Sequence, residues 1–92
     1  MKTIEEIKAA YEQTLNVDDA IAAYTELITA DPEASDDPYI ERAMLYWKKN
    51  ERAQAINDLN EAIRLNPDSR AVEAKNAYYE ILDFYDKDRY NP

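Results

Sequence analysis

Cysteine, histidine and glycine are all absent from this 92-residue sequence. Each absence removes a class of chemistry. Without cysteine there is no disulfide framework, zinc ribbon or thiol nucleophile. Without histidine there is no Ser-His or Cys-His couple and no imidazole metal ligand. Without glycine there is no P-loop, dinucleotide fingerprint or nucleophile elbow, since each needs glycine where the backbone approaches a ligand or turns sharply. Positive charge is scarce: 11 basic residues stand against 20 acidic ones, a net charge of −9. That balance repels phosphate backbones and predicts no nucleic-acid partner. Long apolar runs are missing as well, with nothing near the ~18 consecutive residues of a membrane span. The start, Met1-Lys2-Thr3-Ile4-Glu5-Glu6, has two early acids and no apolar run behind them, which argues against a signal peptide. These features predict a cytoplasmic protein without membrane contact. At this length one domain is the natural expectation.

What is present is helical periodicity. Apolar residues recur at three- and four-residue spacing through the chain, a pattern that acidic disordered segments lack. Nothing alternates with period two for long, so the expected fold class is all-α. The spacing predicts a first helix over about 3–15. Thr3 and Glu6 would form its capping box, Ile4, Ile7 and Tyr11 its stripe, and Asn16 its left-handed stop. A second helix is expected over 17–29, with Asp18 and Asp19 in its first turn and Asp31-Pro32 ending it. A third follows Asp37-Pro38, with Asp37 as its cap, and closes at Lys48-Lys49-Asn50. A fourth covers about 51–65 and stops at Asn66-Pro67, and a fifth continues from the expected cap Ser69 to about residue 85.

The two stops set a period: Pro32 and Pro67 lie 35 residues apart. The same shift lays Tyr11 on Tyr46, Ala20 on Ala55, Leu27 on Ala62 and Ile28 on Ile63. A second shift lays Ala74, Ala77 and Ile81 on Ile4, Ile7 and Tyr11. A helix pair recurring at such a period marks a helical solenoid.

On these residues the chain resembles the tetratricopeptide repeat (TPR) family, whose pattern is W-x₂-L-G-x₂-Y, then A-x₃-F, then P. The first copy reads Ile4-x₂-Ile7-Lys8-x₂-Tyr11, Ala20-x₃-Tyr24, Pro32; the second reads Tyr39-x₂-Arg42-Ala43-x₂-Tyr46, Ala55-x₃-Leu59, Pro67. The chain as a whole is similar to small stand-alone bacterial members of that family. The resemblance implies a single TPR-like domain: repeat one over about 3–32, repeat two over about 37–67, a capping helix over about 69–85 and a tail over 86–92. Two departures stand out. Lys8 occupies a place the family gives to a small residue, which implies looser packing of the first pair, and Arg42 replaces a usual Leu.

The resemblance further implies a non-catalytic module that holds a peptide or helical segment of a partner in a concave groove. Positions about a hundred degrees from the packing stripe would line it: Glu5, Ala9 and Glu12 on the first helix, Ile40, Met44, Trp47 and Lys48 on the third, Lys75 and Tyr79 on the fifth. Ile40, Met44 and Trp47 read as an anchor pocket for an apolar side chain. The competing reading is that they pack on the fifth helix and meet no partner. The carboxylate clamp of chaperone-binding relatives is missing, because Glu5, Ala9 and Glu41 stand at its places. With the acidic rim this implies a basic or amphipathic protein or peptide partner. A second reading has the same apolar surface pairing with a copy of the chain.

No cofactor or metal is expected. Asp83, Asp86 and Asp88 lack the glycine and the twelfth-position Glu of a calcium loop. The carboxylates form no pocket pattern for acid–base work, so no catalytic residue is assigned. The rings of Phe84, Tyr85 and Tyr90 are expected to fold back, with Phe84 and Tyr85 packing on the last helix pair.

Overall fold

A computed structural model describes residues 1–86, with side chains as far as Phe84. Five helices follow one another: α1 (Ile4–Thr14), α2 (Val17–Ala30), α3 (Asp37–Lys48), α4 (Arg52–Leu65) and α5 (Ala71–Asp86). Among the described residues there is no strand. Each helix packs chiefly on its neighbours in sequence, giving a molecule about 50 Å long and only 17 Å thick.

The helix ends follow local chemistry. Thr3 and Glu6 form the expected reciprocal capping box at α1. The left-handed stop falls one residue earlier than expected, at Leu15 with φ 53°. Asn16 instead caps α2, its side-chain oxygen accepting the Asp19 N–H at 3.0 Å. That bond uses the Asn side chain where a helix start needs an acceptor. It leaves the strained turn to a residue whose own side chain stays exposed. Asn50, with φ 64°, makes the turn between α3 and α4, a conformation that Asn tolerates better than most residues.

The cap of α3 also differs from expectation. Asp37 is the first helical residue, and its own N–H is held by the Ser35 hydroxyl at 3.1 Å. Pro38 follows inside the first turn, where its missing N–H costs no hydrogen bond. Ser69 accepts the Ala71 N–H at 3.0 Å and starts α5.

Small residues bring the helices together. Ala43, Ala55 and Ala62 are fully buried and Ala20 nearly so, so neighbouring backbones approach closely. Two clusters result. One joins α3, α4 and the start of α5 through Tyr39, Ile40, Ala43, Ala55, Leu59, Ala62 and Ala71, with Ile28 at its edge. The other joins α1, α2 and α3 through Ile7, Ala20, Tyr24 and Leu45. The α3–α4 pair is packed more extensively than the α1–α2 pair. Lys8, on α1, points away from that packing toward α3.

Between α3 and α4 lies a polar tie that sequence reasoning missed. Arg42 donates to both carboxylate oxygens of Asp58, each at 2.8 Å, and to the Thr25 hydroxyl on α2 at 3.0 Å. Its guanidinium lies 6.0 Å from the Tyr39 ring centre and 5.6 Å from that of Tyr46. Asp58 is buried at 6% exposure. The departure from Leu at position 42 is therefore answered by an acid on the facing helix. The signal was available: an acid stands inside the Ala55–Leu59–Ala62 stripe, opposite a base inside the α3 stripe.

Candidate interaction groove

α1 and α3 run side by side with a gap between them. Tyr24 of α2 forms its floor and is 2% exposed. The gap is a groove of about 290 Å³ walled by Tyr11, Met44 and Leu45. Lys8 and Glu12 on one side and Glu41 and Lys48 on the other supply its charges. The volume is that of a large side chain or two small ones, and the walls are mainly apolar.

The charged rim is internally tied. The Lys48 ammonium donates to the Tyr11 hydroxyl at 3.0 Å and lies 5.2 Å from the ring centre. Glu41, 13% exposed, meets Lys8 at 3.8 Å and Arg70 at 3.0 Å. Arg70 also reaches Asp37 at 3.3 Å. One carboxylate on α3 thus ties that helix to α1 and to Arg70, the residue just before α5. Burial pushes the Tyr24 hydroxyl up to about 12, with the nearby Glu41 and Glu5 carboxylates adding to the shift. A neutral phenol at the floor suits an apolar occupant better than an anionic one.

The structure brings Glu12, Met44 and Lys48 of the expected set to this groove. Met44 is 36% exposed and available to a ligand. Ile40 is 1% exposed and belongs to the core, so it is not an anchor. Ile40 and Met44 share one face of α3, but Ile40 lies where that helix packs on α4 and the start of α5, one turn away from the groove that Met44 borders. Trp47 follows the competing reading: it stacks on Tyr78 of α5, centres 4.0 Å apart and planes 3° from parallel, and Arg52 lies 5.0 Å from its ring. Glu5 and Ala9 are exposed on α1 outside the groove lining. Lys75 lies 5.9 Å from the Tyr79 ring centre, and this pair sits on α5, also outside the lining. Lys8, Tyr11, Tyr24, Glu41 and Leu45 complete the groove. Sequence reasoning had Tyr11 and Tyr24 at packing positions of the repeat, Lys8 as a departure from a small residue and Glu41 at a place of the missing clamp, and it gave Leu45 no role.

The expectation that Phe84 packs on the last helix pair is overturned: it is 76% exposed, because it lies on the side of α5 turned away from α4. The Tyr85 and Tyr90 rings lie outside the described residues and side chains. Among the described residues no group of three or more acidic or other ligating side chains is arranged to hold a metal. None of the helices there is long and apolar enough to cross a membrane.

A family model described as Tetratricopeptide repeat matches residues 37–69, the α3–α4 pair with the turn that follows it. No curated protein and no solved structure matches the chain.

Proposed function

We propose, from the premise that this is a tetratricopeptide-repeat protein, that the α1–α3 groove holds a short segment of a partner protein by one apolar side chain. Repeats of this family generally mediate protein–protein interaction and are typically non-catalytic. We read the chain as one domain in which two helix pairs are closed by α5. The observation that carries the proposal is the groove itself: partly exposed Met44 beside Tyr11 and Leu45, over a buried neutral Tyr24. Aromatic and Met walls give large contact area with adaptable shape.

The partner is basic or amphipathic on this reading. The groove lining is balanced, two lysines against two glutamates. Glu41 is already engaged by Lys8 and Arg70. Glu5 and Glu12 remain along α1 on a chain of net charge −9, so a cation flanking the anchor meets uncompensated acid. Pairing of two copies through this groove would oppose −9 with −9, which disfavours it at low salt.

The test is a peptide-display selection on the immobilised protein, counter-screened on Met44→Glu. The proposal expects ligands with an apolar residue flanked by Lys or Arg. Their affinity should fall about tenfold or more on Met44→Glu and weaken as salt rises. Ligands indifferent to Met44→Glu, or predominantly acidic ones, would overturn it.

A further inference from the structure

The floor of the groove holds a hydroxyl that the fold does not use. Tyr24, at 2% exposure, is more deeply buried than Tyr39 at 7%. The Tyr39 hydroxyl donates to the Pro32 carbonyl at 2.9 Å, and the Tyr11 hydroxyl accepts from Lys48. The Tyr24 hydroxyl has no hydrogen-bond partner among the described residues. Buried hydroxyls are ordinarily bonded, because leaving one unpaired opposes folding. This one is open to the groove. Tyr24 lines it together with Tyr11, Met44 and Leu45, and the side-chain polar atom sealed away without a partner, among the described residues, is Nε of Arg52 rather than the Tyr24 oxygen. An occupant that closes the groove with plain hydrocarbon takes water from that oxygen and gives nothing back.

The surroundings select the complement. The Glu41 and Glu5 carboxylates lie close enough to hold the phenol proton. Their field turns the O–H toward them and leaves the oxygen lone pairs free to accept, so the matching group is a donor. An ammonium fits poorly at this depth. Glu41 is already met by Lys8 and Arg70, and a further cation would be buried without an acid of its own. A neutral O–H on an apolar body remains, which describes the side chain of tyrosine. Its ring meets the walls of Tyr11, Leu45 and Met44, whose thioether is a favourable neighbour for an aromatic ring. Its hydroxyl stands at the far end of the ring, where the floor lies. A groove of about 290 Å³ admits a large side chain of that kind.

Given that the groove holds a partner segment, as proposed above, we infer that the anchor is a tyrosine of the partner protein, seated hydroxyl first, with its O–H donating to the Tyr24 oxygen. The Lys or Arg beside it stays at the rim, where Glu12 lies. Tyr24 is then a specificity-determining residue. Phenylalanine and leucine fill the same walls but leave the floor hydroxyl stripped of water and unbonded.

The probe is a short labelled peptide with tyrosine at its centre and Lys on both sides, alongside versions with Phe, Leu or Lys at the centre. Each is titrated by fluorescence anisotropy against the full chain, Tyr24→Phe and Met44→Glu. On the parent, the tyrosine peptide should bind about threefold to tenfold more tightly than the phenylalanine peptide. On Tyr24→Phe that preference should vanish, the two peptides binding equally, while Met44→Glu should weaken both. Tyr24→Phe should melt no lower than the parent, since the hydroxyl it removes holds nothing in the fold. Equal binding of the tyrosine and phenylalanine peptides to the parent, with both lost on Met44→Glu, would overturn the tyrosine anchor and leave the groove as the docking site. A tyrosine preference that survives in Tyr24→Phe, tightest binding by the central-Lys peptide, or a Tyr24→Phe chain that melts several degrees lower would overturn it too. No binding by any of the peptides, or binding indifferent to Met44→Glu, would remove the groove reading and the tyrosine anchor with it.

Discussion

Arg42→Leu restores the residue that the family pattern favours, yet it should destabilise this protein. The substitution strands the Asp58 carboxylate, which is 8% exposed and loses two charge-assisted hydrogen bonds at once. Removing one partner of a buried pair costs about 3–5 kcal/mol. The Arg42 side chain retains 16% exposure, so some water reaches the site, and the lower end, about 3 kcal/mol, is the expected loss. For a domain of this size that corresponds to a fall of about 12 °C or more in melting temperature. The Thr25 hydroxyl loses its bond as well, but it is exposed and water replaces the donor. Removing both charges should behave differently. Arg42→Leu with Asp58→Leu fills the α3–α4 seam with apolar atoms, and such replacements are often neutral or stabilising. Thermal and urea melts of the parent, both single variants and the double variant complete the cycle. The expected result is two severe singles and a double near the parent. An Arg42→Leu single that melts like the parent, or a double that loses the sum of the singles, would refute the reasoning.

Three further outcomes follow from the packing. Ala55→Leu should overpack the α3–α4 contact, where Ala55 is fully buried, and cost about 1–3 kcal/mol in a urea melt. Trp47→Ala should loosen α5 by removing the stack on Tyr78, so that amide exchange along Ala71–Asp86 rises more than exchange in α1. In an alkaline titration followed by tyrosine absorbance, Tyr24 should ionise late, near pH 12, because burial and the Glu41 and Glu5 carboxylates hold its proton; Tyr39 and Tyr78 are also raised, chiefly by burial. Since the folded phenol ionises above the unfolded one, its contribution to stability is intact below about pH 10 and lost as pH rises toward 12.

The helices themselves were legible because their signals are local. Thr3-x-x-Glu6, Asp31-Pro32 and Asn66-Pro67 each act within a turn, and the alanines of α3 and α4 mark close contacts by their size. Cap positions slipped where two neighbours competed for one role. Asn16 was wanted both as the end of α1 and the start of α2, and the hydrogen bond to Asp19 decided it. The groove was half legible. Periodicity places Ile40 and Met44, four residues apart, on one helix face, so it could not tell Met44, on the groove, from Ile40, in the core; the neighbours each meets along the helix decide that. Trp47 was ambiguous for a different reason, since its face depends on where α5 lies. The Arg42–Asp58 tie needed a pairing between helices 16 residues apart, which no local spacing encodes.

The central proposal is that the groove between α1 and α3 receives a partner's apolar side chain. The most direct measurement is a backbone amide and methionine-methyl NMR shift map. A display-selected peptide with a flanked apolar anchor is titrated into isotope-labelled protein. The account predicts that the shifts concentrate at Tyr11, Tyr24, Met44, Leu45 and Lys48, with the Met44 methyl moving most. Shifts confined to α4 and the outer face of α2, with Met44 unmoved at saturation, would contradict it.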